Sequence, residues 1–204
     1  MKTRVREFNM IVAGVGGQGS VLASHIVAEA AVTLGLRARV GETFGASQRG
    51  GKVHSHVRIG EDVYGPLCPE RSLDILVGLE PNETLRLAIP YVNKDTYIIT
   101  NTRKIPSMDV NIGADEYPQI DEIVANLNKL SETVVAFDAT DLAIAAGNPQ
   151  TMNVVMLGAL ASSGRLPYEV DVLREAVIQR VPTRTRDANM KAFSNGFEVL
   201  NNQF

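Results

Sequence analysis

The residues able to do chemistry in this sequence fall into a few groups. The first is Gly14-Val15-Gly16-Gly17-Gln18-Gly19, a Gly-x-Gly-x-x-Gly spacing that directly follows the apolar run Met10-Ile11-Val12-Ala13. Glycines permit a tight turn and close backbone approach, and a helix start presents unpaired N–H groups with partial positive charge. Gly14, Gly16, Gly17, Gln18 and Gly19 are therefore candidates to cradle a phosphate or another anion. Close packing of helix on strand explains the same glycines equally well. A dinucleotide would need an acid about 20 positions further on to hold a ribose. Glu42 stands near that place, but no acid or base for hydride transfer accompanies it.

The second group is the polar, glycine-rich loop Ser47-Gln48-Arg49-Gly50-Gly51. It leads into an alternating stretch in which Val53, Ser55, Val57 and Ile59 point one way and His54, His56 and Arg58 the other. His54 and His56 have a spacing that can bring two imidazoles to one metal, but no carboxylate matches them. A polar strand face accounts for them more simply. With Arg49, Lys52 and Arg58 they form a basic set suited to a phosphate or an acidic partner surface.

Elsewhere the polar residues read as structure. His25 and Glu29 lie one turn apart and can pair on a helix surface. Asp138 or Thr140 suits a helix cap, and Arg184, Arg186 and Asp187 suit a helix start. Cys68 is the only cysteine, set among turn residues without a neighbouring base. It is a bystander thiol, and one cysteine cannot hold an iron–sulfur cluster, which takes about four. No Ser-His-Asp order, metal quartet, P-loop lysine or redox cysteine pair is present. Spacing alone shows no catalytic set.

The elements that must position these residues follow from periodicity. A buried strand enters the glycine turn, and Leu22, Ala23, Ile26, Val27, Ala30, Ala31 and Leu34 mark the helix beyond it. Strands are expected at Arg37 to Thr43, from Val53 to Ile59, at Asp74 to Glu80, Thr96 to Asn101 and Thr133 to Phe137. The turn Gly60-Glu61-Asp62 into Val63-Tyr64 predicts a hairpin there. Pro81 ends a strand, and Asn82 caps a short helix that runs to Pro90. Residues 103 to 118 read as irregular, followed by an amphipathic helix over Ile120 to Leu130. Helices are expected over Asp141 to Ala146, Gln150 to Ser162, Tyr168 to Arg180 and Thr185 to Asn201. The second of these lacks a polar face and must be buried. The fold class is α/β: a Rossmann-like, three-layer, mostly parallel sheet with an inserted hairpin and a helical C-terminal part. Residues 1–204 read as one domain.

A net charge of −3 gives no electrostatic case for nucleic acid or an anionic membrane. No apolar run approaches the roughly 18 residues of a membrane span, and no signal-peptide core follows the basic start. The cytoplasm is the expected location.

Several segments, in order along nearly the whole chain, resemble one family. They are Gly14–Gly19, Ser47–Gly51 with Ser55–Gly60, Asp74–Pro81, Asn101-Thr102-Arg103, Asn153–Ala159 and Asn189–Gly196. Together they are similar to the gamma subunit or domain of 2-oxoacid:ferredoxin oxidoreductases, and within it to the beta-subunit branch acting on indolepyruvate. The resemblance implies a subunit of an enzyme that decarboxylates a 2-oxo acid oxidatively to an acyl-CoA, with ferredoxin as acceptor. It further implies that thiamine diphosphate, iron–sulfur clusters and coenzyme A belong to the holoenzyme, and none to this chain alone. The larger alpha subunit would carry the thiamine diphosphate and clusters, and ferredoxin would be met through the holoenzyme. The glycine turn and the Ser47–Gly51 loop would lie near that partner or line a cofactor entrance. The reading that needs no partner is a free-standing Rossmann-like dinucleotide-binding protein or NAD(P)-dependent oxidoreductase.

Overall fold

A computed structural model describes residues 5–45, 51–106, 110, 112–113 and 116–201. Strand β1 (Phe8–Val15) is buried along its whole length, as its apolar composition demands, and feeds the glycine turn and helix α1 (Ser20–Thr33). There follow β2 (Ala38–Phe44), β3 (Lys52–Ile59), β4 (Ile75–Gly78), α2 (Pro81–Tyr91) and β5 (Tyr97–Asn101). The remainder comprises α3 (Ile120–Leu130), β6 (Thr133–Phe137), α4 (Ala139–Ala145), α5 (Met152–Ser162), α6 (Val170–Arg180) and α7 (Arg186–Asn201). Short 3-10 turns at Pro149–Thr151 and Thr183–Thr185 lead into α5 and α7.

The strands form one sheet in the order β2-β3-β1-β4-β5-β6. β1, β4, β5 and β6 run parallel, and β3 runs antiparallel to both β1 and β2. The period-two alternation sorts side chains between two cores. Met10, Val12, Ile75, Val77 and Ile99 pack under α1, α5, α6 and α7, while Ile11, Ala13, Leu76 and Ile98 pack against α2 and α3. The α/β class and the three layers are those the sequence predicts.

Several expectations need correction. The inserted hairpin is β2–β3, reversing between Phe44 and Lys52, and Val63-Tyr64 is not a strand. β3 pairs with β1 from Phe8↔Ile59 to Val15↔Lys52 and with β2 on its other edge, so neither edge is open to a third strand. Val63 is instead buried, and Tyr64 lies exposed with the Arg37 guanidinium 5.5 Å from its ring centre. Helix α2 begins at Pro81, whose missing N–H costs nothing in the first turn. Its cap is Glu80, which accepts from Glu83 N at 2.8 Å, rather than Asn82. His25 pairs with Glu42 at 2.9 Å, and Glu29 with Arg180 at 3.3 Å, so the expected His25–Glu29 pair gives way to tertiary partners.

Of the basic set, His56 and Arg58 do not stand on an open surface, whereas Lys52 is exposed. Segment 63–69 covers those two: Cys68 N donates to His56 Nδ1 at 3.1 Å, and Arg58 donates to the Gly65 and Leu67 carbonyls. Arg58 also bonds Asn9 and ion-pairs with Glu7 at 2.6 Å. His56 is 1% exposed, and burial drives its imidazole down to about 4, so it is neutral at pH 7. Cys68 is buried, its thiol facing the Met10 carbonyl and pushed up to about 12 by desolvation. It is inert, as its turn-rich setting suggests.

Helix α5 is buried on nearly all sides, as its composition demands, and its chief neighbour is α7. Two glycines face backbone across this contact. A Cβ on Gly158 would overlap the Phe193 carbonyl, and one on Gly196 would overlap the Val155 carbonyl. The helices thus approach to backbone contact.

Candidate functional site

The glycine turn sits where the carboxyl ends of β1, β4, β5 and β6 meet. Gly16 N donates to Gly51 O at 2.8 Å, tying the turn to the entry of β3. Gly51 belongs to the predicted Ser47–Gly51 loop; Ser47, Gln48, Arg49 and Gly50 lie outside the described residues. Gly17 (φ 102°) and Gly19 (φ 82°) occupy left-handed backbone that other residues rarely adopt. A Cβ on Gly19 would collide with the Asn153 amide, which donates to Gly19 O at 3.4 Å. Asn153 lies in the first turn of the buried helix α5, so the motif residues Gly19 and Asn153 meet across 134 positions.

Gln18 decides what the turn can hold. Its Oε1 accepts from Val15 N at 2.8 Å, and its Nε2 donates to Leu79 O at 2.8 Å. The side chain folds over Gly14, where a Cβ would stand 2.7 Å from Oε1. Leu79 O accepts a second bond from Asn101 Nδ2 at 3.1 Å, and Asn101 Oδ1 accepts from Ala139 N at 3.0 Å and Arg103 N at 3.2 Å. Two amide side chains thus stitch the ends of β1, β4, β5 and β6 together. In an open parallel sheet this crevice is where a dinucleotide crosses. Here Gln18 fills it, and Glu42, the expected ribose acid, is engaged by His25. Both contacts speak against a dinucleotide crossing the sheet at this point.

Beside the turn, on the α1 side of the sheet, a hollow of about 510 Å³ is lined by Gly17, Ser20, His25, Phe44, Val53 and Arg180 among others. The first turn of α1 has no side-chain cap, and its N–H groups carry partial positive charge toward this space. Arg180 adds a guanidinium, shared with Glu29, and Phe44 is 60% exposed. An anionic group with an apolar or planar body suits such a lining. Arg180 escaped sequence analysis because it arrives from the far end of α6, with no local pattern to mark it.

A second missed residue is Glu80. Its carboxylate accepts from Glu83 N, from the Tyr117 hydroxyl and from the Ile105 backbone, and it is 1% exposed. Burial raises its pKa despite those donors. It pins the irregular stretch after β5 across the sheet end, a structural anchor at the motif Leu79-Glu80-Pro81. Arg103 is held nearby by Asp138 at 2.9 Å and by Asp141 at 2.5 Å, while Asp138 caps α4 through Asp141 N as predicted. Among the described residues, no group of three or more His, Cys, Asp or Glu side chains is placed to hold a metal ion.

The sequence pattern describing pyruvate ferredoxin/flavodoxin oxidoreductases matches residues 9–199. The chain belongs to the pyruvate ferredoxin/flavodoxin oxidoreductase family. Among its relatives in that family, indolepyruvate oxidoreductase subunit IorB of Thermococcus kodakarensis is 41% identical over 196 residues, covering 96% of each chain. The protein of the same name from Archaeoglobus fulgidus is 41% identical over 189 residues, covering 93% of each. The gamma subunit of a keto/oxoacid ferredoxin oxidoreductase from Geobacter sulfurreducens shares the fold, with a TM-score of 0.69 at 24% identity, over 96% of this chain and 99% of that one. Parts of four of the segments quoted from the sequence meet at one sheet end: Gly14–Gly19, Leu79-Glu80-Pro81, Asn101-Thr102-Arg103 and Asn153.

Proposed function

We propose that the chain is the cluster-free subunit of an indolepyruvate-type 2-oxoacid:ferredoxin oxidoreductase, the complex that converts a 2-oxo acid oxidatively to an acyl-CoA and reduces ferredoxin. The observation that carries this reading is the match at 41% identity to indolepyruvate oxidoreductase subunits, over 96% and 93% of both chains. The residues of this chain do not suit an iron–sulfur cluster: its single cysteine is buried and held at a backbone carbonyl. The larger alpha subunit of the complex carries the clusters and thiamine diphosphate in this proposal, and the assembly is cytoplasmic.

Within that complex, the turn Gly14–Gly19 and the residues of the loop Ser47–Gly51 serve the shared active site. The Gly17, Ser20 and Arg180 lining of the hollow suits a phosphate group of coenzyme A, or an acidic group of the partner, because uncapped helix N–H groups and a guanidinium both favour an anion. Gln18 acts as scaffold, bracing the turn from beneath. The test is coexpression of the chain with a cluster-bearing alpha subunit. A stable copurifying complex is expected, and two chains that elute apart at micromolar concentration refute the reading.

A further inference from the structure

Helices α1 and α6 lie side by side and antiparallel, joined near one end by the Glu29–Arg180 ion pair. Beyond that pair, toward the end of α1 away from the glycine turn, two open-sided hollows of about 360 and 520 Å³ share Leu34 and Val172 as common walls. They form one trough between the end of α1, the face of α6 and the turn at Leu166-Pro167-Tyr168. Its apolar edge reaches solvent: Leu34 is 47% exposed. The Tyr168 hydroxyl is spent on the Val27 carbonyl at 2.9 Å, so its ring serves as wall and offers no polar tip.

The charged side chains that line this trough are all acidic. Glu169, Asp171 and Glu175 line it, and no Lys, Arg or His does so among the described residues. Asp171 is paired with Arg174 at 2.9 Å, but among the described residues Glu175 meets only the neutral Gln179 amide at 3.0 Å. The end of α1, negative by its dipole and without a basic residue in its last turn, reaches the same trough. An apolar floor with an acidic rim complements an apolar segment flanked by Lys or Arg.

We propose that this trough docks a Lys/Arg-flanked apolar segment of the larger subunit. The inference rests on the subunit reading above and adds where the contact is made. Helix α1, about 21 Å long at 1.5 Å per residue, runs from the glycine-turn hollow to the trough. A partner lying along α1 and α6 reaches both, meeting cationic groups at one end and acidic ones at the other.

The test uses the coexpressed complex. A benzophenone maleimide on Leu34→Cys reports neighbours of the trough, and native Cys68 is too deeply buried to compete for the label. Crosslinking into a larger-subunit peptide that has Lys or Arg beside its apolar residues is the expected result. Glu175→Lys, at an exposed position, is expected to weaken assembly about tenfold with an unchanged melting temperature, and to reduce its sensitivity to salt. The proposal is overturned if the complex forms but label at Leu34→Cys reacts with nothing, with a second copy of this chain, or with an acidic segment. It is equally overturned if Glu175→Lys leaves the dissociation constant unmoved. Wild-type chains that fail to associate at all overturn the subunit reading, and this inference with it.

Discussion

Gln18→Ala isolates the scaffold role of the glycine turn. The amide makes two hydrogen bonds, to Val15 N and Leu79 O, both at 2.8 Å. Each is worth about 1 kcal/mol net, and Leu79 O keeps its second donor, Asn101. The expected loss is about 2 kcal/mol. With a urea m-value near 2 kcal/mol/M, the unfolding midpoint should fall by about 1 M at unchanged slope. Gln18→Glu sharpens the test. The introduced carboxylate still accepts from Val15 N but faces the Leu79 carbonyl with a second acceptor, so it should be at least as damaging as alanine at pH 7. Lowering the pH toward 4 protonates it, restores a donor, and should narrow the deficit relative to wild type. Because a Cβ on Gly14 would crowd the same amide, Gly14→Ala and Gln18→Ala should cost less together than the sum of their separate effects. A midpoint for Gln18→Ala within about 0.2 M of wild type would refute the reasoning.

Three further expectations follow from burial. His56 has an ordinary pKa of 6.5 and is driven to about 4 in the fold, so the folded state binds fewer protons. Stability is then full above pH 6.5 and declines as pH falls toward 4, by about 3 kcal/mol from this group; His56→Gln should flatten that part of a urea-midpoint-against-pH curve. Ser55 is fully buried, and its hydroxyl has no hydrogen-bond partner among the described residues. Ser55→Ala should therefore leave thermal stability unchanged or raise it by up to about 1 kcal/mol, and a loss above that would reveal a partner for the hydroxyl. Gly158→Ala forces α5 and α7 apart against the Phe193 carbonyl and should cost more than about 2 kcal/mol in the same calorimetric scan.

Much of this was legible because short-range rules decide it. The apolar run of β1, the glycines after it and the helical period of α1 all belong to contiguous residues, and the structure follows them. The buried α5 was equally plain, since a helix without a polar face has nowhere else to go. What failed were choices between distant competitors. The β2–β3 reversal and the Gly60-Glu61-Asp62 turn are both good hairpin sites, and only the arrival of β1 on the free edge of β3 rejects the second. His56 and Arg58 look like part of a basic surface until segment 63–69 closes over them. Arg180 reaches the glycine-turn hollow from 160 positions beyond Ser20 without any periodic mark. Gln18 was visible in the motif, but its inward rotamer depends on the Leu79 carbonyl and so on the β1–β4 pairing.

As proposed above, this chain contributes to indolepyruvate oxidation only as part of a complex. The most direct measurement is coenzyme-A-dependent ferredoxin reduction by the purified chain, by the alpha subunit, and by the two reconstituted together. The account predicts turnover with indolepyruvate only in the reconstituted complex, with a higher kcat/KM than for pyruvate. Turnover by this chain alone, or a reconstituted complex that oxidises pyruvate in preference to indolepyruvate, would contradict it.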